Sequence, residues 1–395
     1  MIGRILKNTT AQVIGKVAGI VISLLTVGWL TRYLGSGGYG QLILITALVS
    51  LAEAGGDFGS RIVGVREVAR AKQPSRVLAE IGWWRKWTYL AVMVLAMIIV
   101  WGGGWYDGVE SIASLALLML IVNWGAGIVE IKLMAEIRSD QKAIMDVLYP
   151  LLFLLTVWWW RKWGLVGVVV GYIWARIISW WWGWRQAGMR PEKVIGSWKL
   201  AEKWWRLTWP MGAYLLLFTA YDRWIDAVMI KGWIGIREVA WYGLAYKIYS
   251  NLLQPAAFLT ANVFPMLGLN KQEDKKYVRW GVATLLLGAG LVAAVMYLLA
   301  PVAILILGGS GYVESVGLLR WLLAAMVFAY LNHLWGFWLI AKGRQKELLG
   351  VGGIAVVFNL TMNWWMIPRY GVVAAAWVTV MTEALSCWLL IRKQI

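Results

Sequence analysis

The stretch WGVATLLLGAGLVAAVMYLLAPVAILIL, residues 280–307, continues for 28 residues without a charged side chain. An α-helix rises 1.5 Å per residue, so about 20 apolar residues cross the roughly 30 Å hydrocarbon core of a bilayer. Apolar stretches of similar length, separated by short charged segments, recur along the whole chain. This pattern predicts an all-α integral membrane protein with about twelve transmembrane helices.

The composition of the chain agrees with this fold class. Hydrophobic residues make up 61% of the sequence and charged residues only 15%, whereas about a quarter of an average soluble domain is charged. The single cysteine, Cys387, excludes an intrachain disulfide, and the single histidine, His333, leaves little basis for zinc chemistry or a histidine-based triad. We therefore expect no enzymatic activity, no cofactor and no metal site.

The formal net charge of +18 could indicate nucleic-acid binding, so the position of the cations decides its meaning. They lie in short segments between the apolar stretches, with no long basic block. With the N-terminus inside, 27 of the 38 Lys and Arg residues fall in cytoplasmic segments, six outside and five within spans. The positive-inside rule then predicts a cytoplasmic (inner) membrane protein with both termini cytoplasmic, and no nucleic-acid partner.

The two halves of the sequence resemble each other. FLLTVWWWRKWGLVG from Phe153 and FNLTMNWWMIPRYGV from Phe358 share a Phe, a Leu-Thr pair and a Trp cluster at an offset near 206 residues. The pairs Tyr39-Gly40 and Tyr242-Gly243 are 203 residues apart. Six spans separate the copies, which predicts two six-helix lobes, residues 1–200 and 201–395, related by a pseudo-two-fold axis along the membrane normal.

Two glycine motifs have structural interpretations. GSGGYG, residues 35–40, matches G-x-G-x-x-G, but a membrane span on each side excludes the strand–helix context of a dinucleotide site. It predicts a tight turn between helices, at which glycine adopts positive φ. Gly167 and Gly171 form a G-x-x-x-G pair, which predicts close packing of the sixth span.

Charged side chains inside the predicted spans are the best candidates for function, because each costs about 2.5–3.5 kcal/mol at the bilayer centre. They predict a polar central cavity. A purely structural salt-bridge cluster, for instance Arg223 with Asp226, is the alternative for some of them. The candidate cations are Lys16, Arg176, Arg223 and Lys247, and the candidate carboxylates are Asp222, Asp226 and Glu383.

Several segments together resemble a known family. In the first half these are RYLGSGGYGQL from Arg32 and DFGSRIVGVREVAR from Asp57. In the second half they are YDRWIDAVMI, WYGLAYKIYS, NVFPML, GGSGY and FNLTMNWWMIPRYGVVAAAW. Their order and spacing resemble those of polysaccharide-biosynthesis membrane proteins, the O-antigen and exopolysaccharide flippases. These belong to the multidrug/oligosaccharidyl-lipid/polysaccharide exporter (MOP) superfamily, and the resemblance covers nearly the whole chain.

The resemblance implies two lobes around a cavity that opens alternately to each side of the membrane. The implied substrate is an undecaprenyl-pyrophosphate-linked oligosaccharide, flipped from the cytoplasmic to the outer leaflet. The four candidate cations would then attract its pyrophosphate, and the three candidate carboxylates could bind H⁺ or Na⁺ as a coupling ion.

Two other functions are compatible with parts of the pattern. A cation-coupled multidrug exporter of the same superfamily would use an acid-lined apolar cavity, so the sign of the charge in the cavity discriminates between the two transporters. A membrane-embedded glycosyltransferase or ligase would need a catalytic carboxylate or metal site and sizeable polar loops. The longest polar segment here has about 30 residues, which disfavours an enzyme of this kind.

Overall fold

The computed structural model describes the backbone of residues 2–189, 192, 194–263 and 271–393. Side chains are described for the same residues except 2–16, 139, 223, 258, 261–263 and 271–278. Within these ranges the regular secondary structure is entirely helical, as the sequence predicts. By contacts the chain separates into two compact units, Met1–Leu34 with Leu44–Thr219, and Gly35–Ile43 with Ala220–Ile395. The proposed symmetry between the two halves stays a prediction.

The N-terminal unit is built from eight helices among the described residues. Their bounds are α1 Ile2–Asp57, α2 Ser60–Arg70, α3 Pro74–Gly102, α4 Glu110–Leu117, α5 Met119–Ala135, α6 Ser139–Trp160, α7 Gly164–Ala187 and α8 Trp198–Thr219. Helix α8 packs against α2 and α3, so by contacts it belongs to the N-terminal unit, which ends at Thr219.

The contact between α2 and α8 depends on two glycines. A Cβ added at Gly59 would lie 2.8 Å from the backbone nitrogen of Gly212, and one added at Gly212 would lie 2.6 Å from the ring of Phe58. The Phe58 ring also stacks on Trp205, with centroids 5.2 Å apart. Glycine at both positions allows the two backbones to approach closely, so α8 belongs to the N-terminal unit.

The glycine-rich segment at residues 35–40 forms the predicted break in α1. Gly35 has φ 65° and ψ −179°, and the helix resumes directly after it. Residues 35–43 belong to the C-terminal unit, where a Cβ at Gly40 would lie 2.0 Å from the carbonyl oxygen of Ile236. A Cβ at Gly243 would in turn lie 2.2 Å from the Ile43 side chain. Both Tyr-Gly pairs of the sequence repeat therefore pack at one helix–helix contact.

Helices α6 and α7 form an antiparallel pair, joined by the short 3₁₀ turn Arg161–Trp163. Gly167 and Gly171 face α6, because a Cβ on Gly167 would lie 2.1 Å from the carbonyl oxygen of Trp160 and one on Gly171 would lie 3.0 Å from the amide nitrogen of Val157. The Thr156 hydroxyl donates to the Gly171 carbonyl at 2.8 Å. The G-x-x-x-G pair thus serves the close packing that the sequence predicts.

The C-terminal unit contains seven further helices among the described residues, with a π-helical turn at Ala220–Trp224. Their bounds are α9 Ile225–Trp233, α10 Ile236–Leu252, α11 Gln254–Val263, α12 Lys271–Gly308, α13 Ser315–Ala341, α14 Gln345–Tyr370 and α15 Val373–Arg392. Helix α13 contacts α10, α11, α12, α14 and α15, and it carries much of the buried apolar surface of this unit.

Eight helices in the described part of the chain are long and apolar enough to cross a membrane. Two of these, Val17–Arg70 and Asp140–Ala187, have 54 and 48 residues, more than twice the roughly 20 residues of one crossing. The first is interrupted at Gly35 and the second at the turn after Trp160, so each supplies two predicted spans. The two predicted spans at residues 207–230 and 239–263 are also helical, and each is divided between two helices, α8 with α9 and α10 with α11.

Candidate functional site

A network of charged side chains joins five helices of the N-terminal unit. We call it the arginine network, and it links the end of α1 with α2, α3, α5 and α7. The described members include three arginines and three carboxylates, so their formal charges balance. They are Glu53, Asp57, Arg61, Arg85, Asn123, Glu130 and Arg176.

Arg85 of α3 is the fully buried centre of this network, with no exposed surface. Its guanidinium forms a salt bridge with Asp57 and donates to the Ser60 hydroxyl at 2.7 Å and the Tyr89 hydroxyl at 3.1 Å. Helix α5 leaves room for it at Gly127, where a Cβ would lie 2.1 Å from the Arg85 Nη2 atom. The role of Arg85 is structural, because its donors face protein groups and not an open surface.

Arg61 of α2 contacts all three carboxylates of the network. Its nitrogens lie 3.1 Å from Glu53, 3.5 Å from Asp57 and 3.2 Å from Glu130. About a third of its side chain, 32%, is still exposed. Arg61 is therefore held in place by acids and also accessible from outside the unit.

Arg176 of α7 shares Glu130 with Arg61. Its Nε atom donates to the Asn123 side chain at 2.8 Å and an Nη atom donates to Glu130 Oε1 at 3.3 Å, whereas Arg61 contacts Glu130 Oε2. The guanidinium also lies over the Tyr149 ring, 5.5 Å from its centroid, and the side chain is 16% exposed. One carboxylate thus bridges the two partly accessible arginines.

The polar site of the C-terminal unit differs from the arginine network, since the described hydrogen bonds to its acids Asp226 and Glu383 come from phenol and amide groups. Asp226, which is 3% exposed, accepts hydrogen bonds from the Tyr242 hydroxyl at 2.5 Å and the Asn363 amide at 2.7 Å. The Tyr242 hydroxyl also lies 3.1 Å from that of Thr379. Phenol and amide donors stabilise a carboxylate without neutralising it.

Glu383 of α15 and Asp222 of the π-helical turn complete what we call the carboxylate cluster, namely Asp222, Asp226 and Glu383. The Tyr221 hydroxyl and the Asn332 amide donate to the two oxygens of Glu383 at 2.8 Å and 2.7 Å. Asp222 accepts from the Tyr246 hydroxyl. π-Helical turns are rare and frequent at functional sites, and this one sets the direction of both Tyr221 and Asp222.

The sequence-predicted cations are distributed over different parts of the protein. Arg176 joins the arginine network, and Lys247 is a half-buried residue of α10. The side chains of Lys16 and Arg223 lie outside the described residues, so the predicted pairing of Arg223 with Asp226 does too. The three predicted carboxylates all lie in the C-terminal unit, each hydrogen-bonded to a tyrosine.

Most of the arginine network is absent from the sequence-based set of candidates. The charge count along the sequence assigns Arg61 and Arg85 to a cytoplasmic segment between two predicted spans and gives them no functional role. The structure places them on helices α2 and α3, where Arg85 is fully buried. A usable signal was present in Glu53 and Asn123, which lie inside apolar stretches of the second and fourth predicted spans.

Comparison with known proteins identifies the family. The model of a family described as polysaccharide biosynthesis protein matches residues 5–271, about two thirds of the chain. The chain belongs to the polysaccharide biosynthesis protein family. The resemblance found in the sequence motifs is thereby confirmed. A search of curated proteins found no match.

Solved structures show that this family member shares the fold of MOP-superfamily transporters. The lipid II flippase MurJ in an inward closed conformation aligns with a TM-score of 0.83 at 12% identity, over 98% of this chain and 87% of MurJ. An outward-facing multidrug resistance MATE transporter gives 0.68 at 14% identity, over 98% and 96%. A Pyrococcus furiosus MOP transporter described by the reverse polarity of its binding pocket gives 0.67 at 14%, over 98% and 93%.

These alignments confirm the predicted fold class, an all-α membrane protein of the MOP type. The solved proteins that share this fold include a flippase and a multidrug transporter. At identities of 12–14% the structural likeness establishes the fold alone, and it leaves the transported molecule to be argued from the side chains of this chain.

Proposed function

We propose that this polysaccharide biosynthesis protein flips an undecaprenyl-pyrophosphate-linked oligosaccharide, an O-antigen or exopolysaccharide repeat unit, across the cytoplasmic membrane by alternating access. Sugars and pyrophosphate cannot enter hydrocarbon unaided, so such a substrate requires a polar path through a protein. The family match and the shared fold with a lipid II flippase support this substrate class.

The observation that carries the proposal is the pair Arg61 and Arg176, two arginines with partly exposed side chains on helices α2 and α7, which both pack against α5. Guanidinium groups bind phosphate in a bidentate manner, and pyrophosphate is common to all substrates of this class whatever their sugars. Lys16, Arg223 and Lys247, the other predicted cations, would add to the attraction for the pyrophosphate. A cationic site could thereby accept many glycans.

We expect the double substitution Arg176→Ala, Lys247→Ala to reduce glycan export at least tenfold, because each removes a charge-assisted phosphate contact, which contributes about 1.5–3 kcal/mol. Export is measured as surface polysaccharide in a strain that depends on this protein, at matched amounts of folded protein in the membrane. Arg185→Ala is the matched control, since Arg185 lies exposed on the same helix and stacks on Trp181. Normal export by the double variant would refute a role for these cations.

The carboxylate cluster supports coupling of transport to H⁺ or Na⁺. Asp226 and Glu383 accept their described hydrogen bonds from phenol and amide groups. A buried carboxylate is stabilised when it binds a cation. The same observation favours the second candidate function, a cation-coupled multidrug exporter. The two functions separate in a deletion strain: loss of surface glycan with unchanged drug susceptibility supports the flippase, and the reverse supports the exporter.

The charge distribution leads to a prediction on topology. We expect a reporter fused after Ile395 to be cytoplasmic, because 27 of the 38 Lys and Arg residues then lie on the cytoplasmic side. Green fluorescent protein fused there should fluoresce and alkaline phosphatase should be inactive, and a phosphatase fusion in the loop after Trp160 should be active. Active phosphatase at the C-terminus would contradict the proposed orientation.

A further inference from the structure

Glu130 has a position in the arginine network that neither Glu53 nor Asp57 shares. Its Oε2 atom lies 3.2 Å from Arg61 and its Oε1 atom lies 3.3 Å from Arg176, so both carboxylate oxygens are used on the two partly exposed arginines. The Glu130 side chain is only 7% exposed, whereas Arg61 is 32% and Arg176 is 16% exposed. The cations thus reach the surface and the shared anion lies behind them.

The other two carboxylates of the network have different tasks. Asp57 forms the salt bridge of the buried Arg85, and it lies 3.5 Å from the Arg61 guanidinium. Glu53 contacts Arg61 at 3.1 Å and accepts from the Asn123 amide at 3.1 Å. Among the described residues, Glu130 alone contacts both accessible guanidinium groups.

We infer that Glu130 is an internal competitor for the substrate's pyrophosphate: it aligns Arg61 and Arg176 for a bound phosphate and limits how tightly they hold it. This inference rests on the proposed function, because it assigns a regulator to the phosphate site of that function. The class of ligand is a pyrophosphate or a phosphate ester, recognised by two guanidinium groups side by side.

The physical basis is the balance between attraction and repulsion at short range. A guanidinium has five N–H donors, and the hydrogen bonds of Arg176 described above use only Nε and one Nη. Other N–H groups of Arg176 therefore remain for a second anion, and Arg176 can keep its hydrogen bonds to Asn123 and Glu130 while that anion is bound. An anion bound there lies close to the Glu130 carboxylate, and two like charges a few ångströms apart in a protein repel strongly.

A carboxylate that limits the affinity for phosphate suits a transporter. A transporter has to release its cargo on the far side, so very tight binding of the pyrophosphate would slow every cycle. A carboxylate that stays in contact with both arginines repels the bound phosphate and holds the arginines in place as the phosphate leaves. Binding then stays reversible while the geometry of the site is kept ready.

The test is the affinity of purified full-length protein for inorganic pyrophosphate, measured by isothermal titration calorimetry. Glu130→Gln keeps the size of the side chain and removes its charge, so we expect at least tenfold tighter binding, or about 1.4 kcal/mol. Glu53→Gln touches only one of the two arginines and should give a smaller gain. Glu136→Gln, an exposed carboxylate just after α5, is the control and should leave the affinity unchanged.

The variants are compared only where size-exclusion chromatography shows folded protein. If Glu130→Gln does not fold, Glu130→Asp is tested instead. Its shorter side chain keeps the charge but moves the carboxylate away from both arginines. Tighter pyrophosphate binding by either folded variant supports the inference. Unchanged or weaker binding by a folded Glu130 variant overturns it.

Two further measurements separate this inference from the proposed function. If wild-type protein binds pyrophosphate and Arg61→Ala or Arg176→Ala weakens that binding, the phosphate site stands, and an unchanged affinity of Glu130→Gln then refutes the competitor alone. If wild-type protein, both arginine variants and Glu130→Gln all fail to bind pyrophosphate, the phosphate site itself is wrong and the proposed function loses its support.

Discussion

Replacing Arg85 by leucine is expected to destabilise the N-terminal unit by about 3 kcal/mol and to remove most folded protein from the membrane. The arginine is fully buried, and its loss leaves Asp57, itself 5% exposed, without its closest cation. Removing one partner of a buried ion pair typically costs about 3–5 kcal/mol, because an uncompensated charge stays behind. The lower end applies here, since Arg61 remains 3.5 Å from Asp57.

The amount of monodisperse protein after solubilisation and its thermal unfolding temperature measure this effect. Lys86→Leu is the matched control, because Lys86 is the next residue of α3 and is exposed. The double substitution Arg85→Leu, Asp57→Asn should recover part of the loss, since it removes the orphaned charge together with its partner. Wild-type stability of Arg85→Leu would show that the buried pair does not hold these helices together.

Replacing Asp226 by asparagine is expected to reduce export at least tenfold while the protein stays folded. The amide occupies the same volume and keeps a carbonyl acceptor for the Tyr242 hydroxyl. It has no charge, so it cannot take up H⁺ or bind Na⁺ as a carboxylate does. Loss of transport without loss of folding is the result that a coupling residue gives and a packing residue does not.

Export is again measured as surface polysaccharide, together with the shift in unfolding temperature caused by Na⁺. Wild-type protein should be stabilised by Na⁺ or show a pH-dependent rate, and Asp226→Asn should lose that dependence. Glu314→Gln removes an exposed carboxylate of the same unit and should behave as wild type. Full export by the Asp226 variant would show that Asp226 is not the coupling residue, and Asp222 and Glu383 would remain as candidates.

Local features of the chain were predictable because their cause is local. Membrane insertion follows from apolar length, which is set within about 20 residues. The break at Gly35 follows from a glycine-rich segment between two apolar stretches, and it occurs there with φ 65°. The carboxylates Asp222, Asp226 and Glu383 were recognised because each interrupts an apolar stretch, where a charge is costly.

The pairing of charges was not predictable, since it depends on which helices come together. Glu130 is 69 residues from Arg61 and 46 from Arg176 along the chain, yet one carboxylate bridges both. Sequence periodicity assigns a residue to a helix face but does not name the partner on another helix. The sequence therefore predicted Arg176 as a cation of the cavity, and the structure shows that it is paired with the Glu130 carboxylate.

Hydropathy and charge along the chain are enough to predict a helical membrane protein, the distribution of its cations and the acids inside its spans. These properties depend on one helix at a time. The burial of Arg85 and the sharing of Glu130 by Arg61 and Arg176 depend on which helices pack together. The reason is that the environment of Arg85 depends on the absence of a side chain at Gly127, 42 residues away on another helix, which no pattern around Arg85 records.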